Sequence, residues 1–144
     1  MIIALDLEGT LISNAMSQFP RPGLYQFLEF YRSNFQKIVL FTAVSEPRTR
    51  NIIQGLVESG DAPSWFAEDV EYIKWEGIYK DLRFIENAEP KDILLVDDQE
   101  AYIHPEQIEY WIKVPEFEPP YSDLDDALSK LEELLTRRLN LTVI

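Results

Sequence analysis

Residues 2–11 read Ile-Ile-Ala-Leu-Asp-Leu-Glu-Gly-Thr-Leu, and this short segment already indicates the class of fold. Four apolar residues follow one another without a polar residue between them, and the run ends abruptly at Asp6. A continuous apolar run of this length is typical of a strand that is covered on both faces, as in a parallel sheet. Asp6 would then lie at the carboxyl end of the strand, the edge at which open α/β sheets bind ligands.

Two further runs share this character. Residues 38–41 are apolar and end at Thr42, and residues 93–96 are apolar and end at the pair Asp97-Asp98. A weaker run, residues 110–114, is a candidate for one more strand. Helix-like segments alternate with these runs, which implies right-handed crossovers. We therefore predict an α/β fold with an open, mainly parallel, Rossmann-like sheet flanked by helices.

Three helices are predicted from apolar residues at helical spacing. The first begins near Pro22, the second spans residues 46–59 with Gly60 as its C-terminal cap, and the third spans residues 122–138. The third begins with a Ser122/Asp125 capping box. Its predicted apolar stripe consists of Leu124, Leu128, Leu131, Leu134 and Leu135.

Two segments interrupt the alternation of strands and helices. Residues 61–79 are rich in aromatic residues and predict a small β-hairpin that turns near Glu76-Gly77. The proline-rich residues 115–120 predict a loop that leads to the last helix.

Length and charge limit the possible functions. The 144 residues fit one domain, 1–144, and the formal net charge of −13 disfavours nucleic-acid partners. No apolar run approaches the roughly 20 residues needed to cross a membrane. There is no cysteine and no signal-peptide pattern at the start of the sequence, so we expect a cytoplasmic protein.

The three polar strand ends predict the chemistry of the site. If the strands are neighbours, Asp6, Asp97 and Asp98 converge with Thr42 on one crevice. Carboxylates that lie so close together need a compensating cation. Oxygen ligands without cysteine or a nearby histidine favour Mg²⁺ over zinc, and Mg²⁺ commonly binds through carboxylates together with phosphate oxygens. A phosphate ester is therefore the natural substrate.

The same segments, in the same order, resemble the haloacid dehalogenase (HAD) superfamily, whose members are mostly phosphatases. Within it, the chain is most similar to the uncapped small phosphatases that act on the RNA polymerase II C-terminal domain and to related Nif-type proteins. The resemblance rests on Asp6-Leu7-Glu8-Gly9-Thr10-Leu11, Arg21-Pro22-Gly23, Leu40-Phe41-Thr42-Ala43, Tyr79-Lys80-Asp81-Leu82, Ile93 to Asp98 and Tyr102 to Glu106.

The resemblance implies a covalent mechanism. Asp6 is the expected nucleophile, which forms an aspartyl-phosphate. Glu8 is the expected general acid and base, although the family usually has aspartate there, and enolase-phosphatases of the superfamily share the Asp-x-Glu-Gly-Thr string. The hydroxyl of Thr42 and the backbone N–H groups from Ala43 onward are expected to bind the phosphoryl oxygens. Lys80 is expected to neutralise those oxygens and Asp6.

The expected metal ligands are Asp6, the backbone carbonyl of Glu8, Asp98 and, directly or through water, Asp97. For two other residues the structural interpretation is favoured: His104 is a loop residue, and Arg21 orients the turn before its helix. Thr42 has a second possible role as a cap of the helix near residue 46. The intervals 11–21 and 43–80 are too short for an inserted cap domain.

Three functional hypotheses remain open at this stage. The first is a Mg²⁺-dependent phosphatase that acts on a phosphoprotein or a small phosphate ester. The second is a catalytically weak module that binds phosphate or a phosphoprotein in the same crevice, which the departure at Glu8 favours. The third, removal of phosphate from nucleic-acid ends, is disfavoured by the acidic charge. The sequence does not define the oligomeric state.

Overall fold

A computed structural model describes residues 1–141 of the chain. Its centre is a sheet of five parallel strands in the order β3-β2-β1-β4-β5. The strands are β1 (Ile2–Leu5), β2 (Lys37–Leu40), β3 (Glu71–Tyr72), β4 (Ile93–Asp97) and β5 (Trp111–Lys113). The predicted α/β class is confirmed, and the run at residues 110–114 contains an edge strand.

The helices pack on one face of this sheet. They are α1 (Leu24–Asn34), α2 (Glu46–Glu58), α3 (Ser64–Asp69) and α4 (Ala127–Arg138). Side chains alternate across β1, so Ile3 and Leu5 join the apolar cluster that contains the buried residues of all four helices. Ile2 and Ala4 point to the other face, where Ile73, Leu82, Ile103 and neighbouring side chains from loops and short 3₁₀ turns cover the sheet.

The predicted hairpin in residues 61–79 is wrong. Residues 64–69 form α3, with Phe66 buried, and residues 71–72 form β3, which pairs in parallel with β2. The hydroxyl of Tyr72 donates to the carbonyl of Val44 at 2.6 Å, which anchors this edge strand to the segment after β2. Pairing with an existing sheet edge satisfies the backbone groups that a separate hairpin would have had to pair locally.

The last helix is shorter than predicted because it begins at Ala127 and not at Ser122. The Ser122 hydroxyl accepts a hydrogen bond from the N–H of Leu124, within a local turn. Asp125 binds Arg21, and the predicted capping box does not form. Leu124 therefore lies outside the helix with 89% of its surface exposed, and Leu134 is also exposed. Leu128, Leu131 and Leu135 are buried as predicted.

Other predicted features are present. Gly60 follows α2 with φ 79°, and its N–H donates to the carbonyl of Val57, as expected for a left-handed residue that ends a helix. Interval 11–21 contains no helix or named strand, and interval 43–80 contains only α2, α3, β3 and loops, so no cap domain is inserted in either. No helix in residues 1–141 is long and apolar enough to span a membrane.

Candidate active site

The carboxyl ends of the three central strands bring the predicted residues together. β1 lies between β2 and β4, and Leu5 is in register with Leu40 and with Val96. Asp6 therefore leaves the sheet beside Asp97, the last residue of β4. Thr42 follows β2 by two residues at the same edge. A crevice of about 250 Å³ opens here, and its lining includes Asp6, Glu8, Thr42, Ala43, Asp98 and Tyr102.

Lys80 lies beneath this crevice between two carboxylates. Its ammonium nitrogen is 2.8 Å from Asp6 Oδ1 and 2.5 Å from Asp97 Oδ2. The Lys80 side chain is fully buried, and the ring of Tyr102 covers its ammonium at 4.6 Å from the ring centroid. The backbone N–H of Lys80 donates to the carbonyl of Tyr102 at 2.8 Å. These contacts fix the ammonium in a single position.

One lysine does not balance the two carboxylates that it contacts. Burial raises the pKa of Asp6 well above its usual range, and the charge of Asp97 raises it further, although Lys80 opposes both effects. The pKa of Asp97 is also raised, again because burial outweighs Lys80. For Lys80 itself, burial lowers the pKa, but the two carboxylates outweigh burial and the net shift is upward. The cluster therefore has an excess of negative charge when both aspartates are ionised.

The carboxylates have the arrangement that a divalent cation requires. Asp6, Asp97 and Asp98 each offer an oxygen, and these oxygens all lie within 4.8 Å of one another. The hydroxyl of Thr10 is 3.0 Å from Asp6 Oδ2 and 3.1 Å from Asp98 Oδ1, which holds the first and third carboxylates side by side. A set of hard oxygen donors without sulfur or imidazole fits Mg²⁺.

Gly9 allows the close approach of the loop after β1 to Asp98. Its φ is 74°, and a Cβ atom at this position would overlap the Asp98 carboxylate. The loop is fastened further by Arg21, which is 1% exposed. Arg21 Nη1 lies 3.2 Å from the carbonyl oxygen of Gly9 and 3.3 Å from that of Thr10, and the guanidinium also contacts both carboxylate oxygens of Asp125. Arg21 therefore has a structural role, but it supports the loop after β1 and not, as predicted, the turn before its own helix.

Glu8 lies at the mouth of the crevice. Its side chain is half-buried, and Oε2 accepts a hydrogen bond of 2.7 Å from the backbone N–H of Ala15. Its carboxylate is not a member of the three-aspartate cluster. The structure therefore brings Glu8 to the same crevice as Asp6 but binds one of its oxygens to the next loop.

Thr42 and Ala43 belong to the lining of the crevice. The Thr42 hydroxyl accepts a hydrogen bond of 3.2 Å from the N–H of Val44, and the Thr42 carbonyl accepts one of 2.8 Å from the indole of Trp75. The N-cap of α2 is Ser45, so the second possible role of Thr42, as a cap of this helix, is not observed. Ala43 is exposed on the crevice side.

The remaining candidates lie elsewhere. His104 accepts a hydrogen bond from the N–H of Glu106 through Nδ1 and packs against Tyr79, which is a structural role. Lys91 pairs with Glu89 on the surface before β4, far along the strand from the crevice. Lys74 is exposed.

Sequence reasoning missed several residues that line the crevice, namely Ser13, Asn14, Gln99, Tyr102 and Glu116. A signal existed for Tyr102 alone, because it belongs to the segment 102–106 that carries part of the resemblance. The others reach the crevice through loop conformations that leave no periodic pattern in the sequence.

Comparison with known proteins identifies the family of the chain. A family model described as NLI interacting factor-like phosphatase (NIF) matches residues 1–142, and the chain therefore belongs to this family. The assignment confirms the predicted resemblance to the Nif-type phosphatases. No curated protein matches the chain.

A solved structure gives a second comparison. The fission yeast RNA polymerase II CTD phosphatase Fcp1, in a variant bound to beryllium fluoride, is similar with a TM-score of 0.56 and 14% sequence identity. The match covers 96% of this chain and 50% of that chain, so this chain spans about half the length of that relative. At this level of identity the similarity establishes the fold.

Proposed function

We propose that residues 1–144 form one catalytic domain that hydrolyses phosphate monoesters with Mg²⁺ and an aspartyl-phosphate on Asp6. The observation that carries the proposal is the position of Lys80, which is buried between Asp6 and Asp97 beneath an open crevice. A lysine and two carboxylates at the end of a sheet are costly to bury and contribute little to folding. Perturbed charged groups of this kind in a crevice are typical of a catalytic site.

The charge of the crevice supports a requirement for a cation. Within residues 1–141, no lysine or arginine lines the crevice. Four acidic residues do, namely Asp6, Glu8, Asp98 and Glu116. A phosphate dianion would be repelled by this lining, with only the buried Lys80 to attract it. We propose that Asp6, Asp98, the backbone carbonyl of Glu8 and, directly or through water, Asp97 hold Mg²⁺. A bound Mg²⁺ would draw the phosphoryl oxygens to the site and neutralise their charge.

Hydrolysis takes place in two steps, formation and then hydrolysis of the aspartyl-phosphate, and each side chain has a role in them. An oxygen of Asp6 attacks phosphorus, the ester P–O bond breaks, and Glu8 gives its proton to the leaving oxygen. Glu8 then takes a proton from the water that attacks the aspartyl-phosphate, which releases inorganic phosphate and restores Asp6. Throughout both steps, Lys80 keeps Asp6 oriented, while the Thr42 hydroxyl and the backbone N–H groups from Ala43 onward bind the phosphoryl oxygens.

The substrate that we favour is a phosphoprotein, with small phosphate esters also accepted. The crevice is open to solvent, and nothing in residues 1–141 covers it as a cap domain would. A phosphorylated segment that is already extended can enter such a crevice without first being unfolded. The similar Fcp1 is itself a phosphatase of the RNA polymerase II CTD, which is consistent with a protein substrate.

A second candidate function is a module that binds phosphate with little turnover. The observation in its favour is that one carboxylate oxygen of Glu8 is already engaged with the Ala15 N–H. If this contact withdraws Glu8 from the leaving group, phosphate would bind while the ester bond is cleaved slowly.

The first test is hydrolysis of p-nitrophenyl phosphate with Mg²⁺, with EDTA, and by an Asp6→Asn variant. The enzyme hypothesis requires turnover with Mg²⁺ that both EDTA and Asp6→Asn abolish. Folded protein that binds inorganic phosphate with Mg²⁺ but shows no turnover from about pH 5 to 8, the range in which such acid–base pairs operate, would favour the binding module. Turnover that persists in Asp6→Asn would refute Asp6 as the nucleophile.

A further inference from the structure

The loop of residues 13–19 is closed on itself next to Glu8. The Ser13 N–H donates to the carbonyl of Phe19, and the Phe19 N–H donates to the Ser13 hydroxyl, both at 2.8 Å. Inside the loop, Asn14 Oδ1 accepts hydrogen bonds from the N–H groups of Met16 and Ser17 at 2.9 and 2.8 Å. The loop therefore has a defined shape although it contains no helix or strand.

Ala15 is also held through its carbonyl group, which belongs to the next peptide unit. Its carbonyl oxygen lies 3.2 Å from Arg48 Nη2, on α2, and 3.1 Å from Gln18 Nε2. Ala15 itself is 6% exposed and belongs to the main apolar cluster. The N–H that Ala15 presents to Glu8 Oε2 is thus a fixed donor, and it does not depend on a flexible side chain.

A fixed donor determines which oxygen of Glu8 carries the proton. A protonated carboxyl group has one oxygen that donates and one that only accepts. Because Oε2 accepts from the Ala15 N–H, the proton of the acid form resides on Oε1. Glu8 lines the crevice, so Oε1 is the oxygen free to act there.

Resting on the function proposed above, we infer that the 13–19 loop, through the N–H of Ala15, is the positioning element for the acid–base side chain. It holds Glu8 Oε2 so that the proton on Oε1 is given to the leaving oxygen as the ester bond breaks. The site is thereby matched to glutamate. An aspartate would end roughly 1.5 Å short, which turns the 2.7 Å hydrogen bond into a separation of about 4 Å.

The test uses two esters that differ in their need for a proton. p-Nitrophenyl phosphate has a leaving group that departs without protonation, whereas a phosphoserine peptide releases an alkoxide that needs it. The ratio of kcat/KM for the two esters reports the first chemical step. For Glu8→Asp we expect kcat/KM for the peptide to fall at least about 10-fold, within the range of acid–base catalysis, and to change less than about 2-fold for the aryl ester.

Three further variants complete the design. Glu8→Gln retains an acceptor for the Ala15 N–H but cannot give a proton, so it should show the same selective loss on the peptide. Asn14→Ala removes the acceptor that shapes the loop and leaves Glu8 unchanged, and it should reproduce the loss in part. Ile108→Ala, which removes a side chain that is 56% exposed and lies outside both the loop and the crevice lining, is the control and should leave the ratio unchanged.

The outcomes separate this inference from the proposed function. If the unmodified protein hydrolyses both esters and Glu8→Asp is equal or faster on the peptide, the loop does not position the acid. A faster Asn14→Ala would mean that the loop withdraws Glu8, which also overturns the inference. If the unmodified protein hydrolyses neither ester with Mg²⁺, the proposed function itself fails.

Discussion

The two ends of the parallel sheet contain the same kind of ion pair in opposite surroundings. Before β4, at the amino end, Lys91 pairs with Glu89 at 3.2 Å, and both side chains are 70% exposed. At the carboxyl end, Lys80 pairs with Asp6 and Asp97 while it is fully buried. An exposed pair contributes at most about 1 kcal/mol to stability. A buried cluster has to overcome desolvation, and its presence in a crevice is better explained by chemistry than by folding.

The largest expected effect comes from removing the buried lysine. Lys80→Met should lower kcat with p-nitrophenyl phosphate by about 10²- to 10³-fold, because it removes a charge that stabilises the transferring group and leaves Asp6 without its partner. Lys91→Met is the matched change at the other end of the sheet and should retain full activity. Equal losses in both variants, or none in either, would remove the functional distinction between the two ends.

The second largest effect is expected from the buried arginine that supports the loop after β1. Asp125→Ala leaves Arg21 buried with only carbonyl partners, and we expect the free energy of unfolding to fall by about 2 kcal/mol, as for hydrogen bonds to charged groups. The comparison is Lys130→Ala, which breaks the exposed pair with Asp126 and should cost less than about 0.5 kcal/mol. Urea denaturation measures both variants. Similar urea midpoints for Asp125→Ala and Lys130→Ala would contradict the claim that burial makes the Arg21–Asp125 pair the more stabilising of the two.

The strand runs and the three aspartates were predictable, because a continuous apolar segment that stops at a polar residue is characteristic of a strand covered on both faces. The start of α4 was not predictable. Asp125 binds Arg21, a residue 104 positions away, and a local capping pattern carries no information about so distant a partner. The Ala15 contact with Glu8 was equally hidden, because every residue except proline offers a backbone N–H. Lys80 could be chosen over Lys74 and Lys91 only through the resemblance, as burial is a property of the folded chain.

The pH dependence of stability is a further test of the buried cluster at the carboxyl end of the sheet. Burial raises the folded-state pKa of Asp6, so its proton stabilises the fold at low pH and this contribution is lost as pH rises through that pKa. In EDTA, Asp6→Asn should therefore be more stable than the unmodified protein at about pH 7, and the gain should shrink toward about pH 4, near the ordinary pKa of aspartate. Chemical denaturation at several pH values measures the difference. If the stability gained by Asp6→Asn grew as the pH is lowered, folding would not raise the pKa of Asp6.

The smallest effect concerns the acidic rim of the crevice. Burial raises the pKa of Glu116, and the charges of Asp98 and Glu118 raise it further, which indicates repulsion at the mouth. Glu116→Gln should raise kcat/KM for a dianionic ester about 2- to 3-fold at low salt, and the gain should vanish at high salt. Glu89→Gln, at the amino end, is the control. A gain that persists in about 0.5 M salt, where such charges are screened, would argue against an electrostatic cause.

The contact between Arg21 and Asp125 also has a consequence for biosynthesis. Arg21 precedes Asp125 by 104 positions, so the arginine that supports the loop after β1 is added to the growing chain long before its carboxylate partner. Because chains are made from the N-terminus at a finite rate, the loop lacks this support until residue 125 has been added. We therefore expect the crevice to reach its final shape only after the segment around residue 125 has been synthesised.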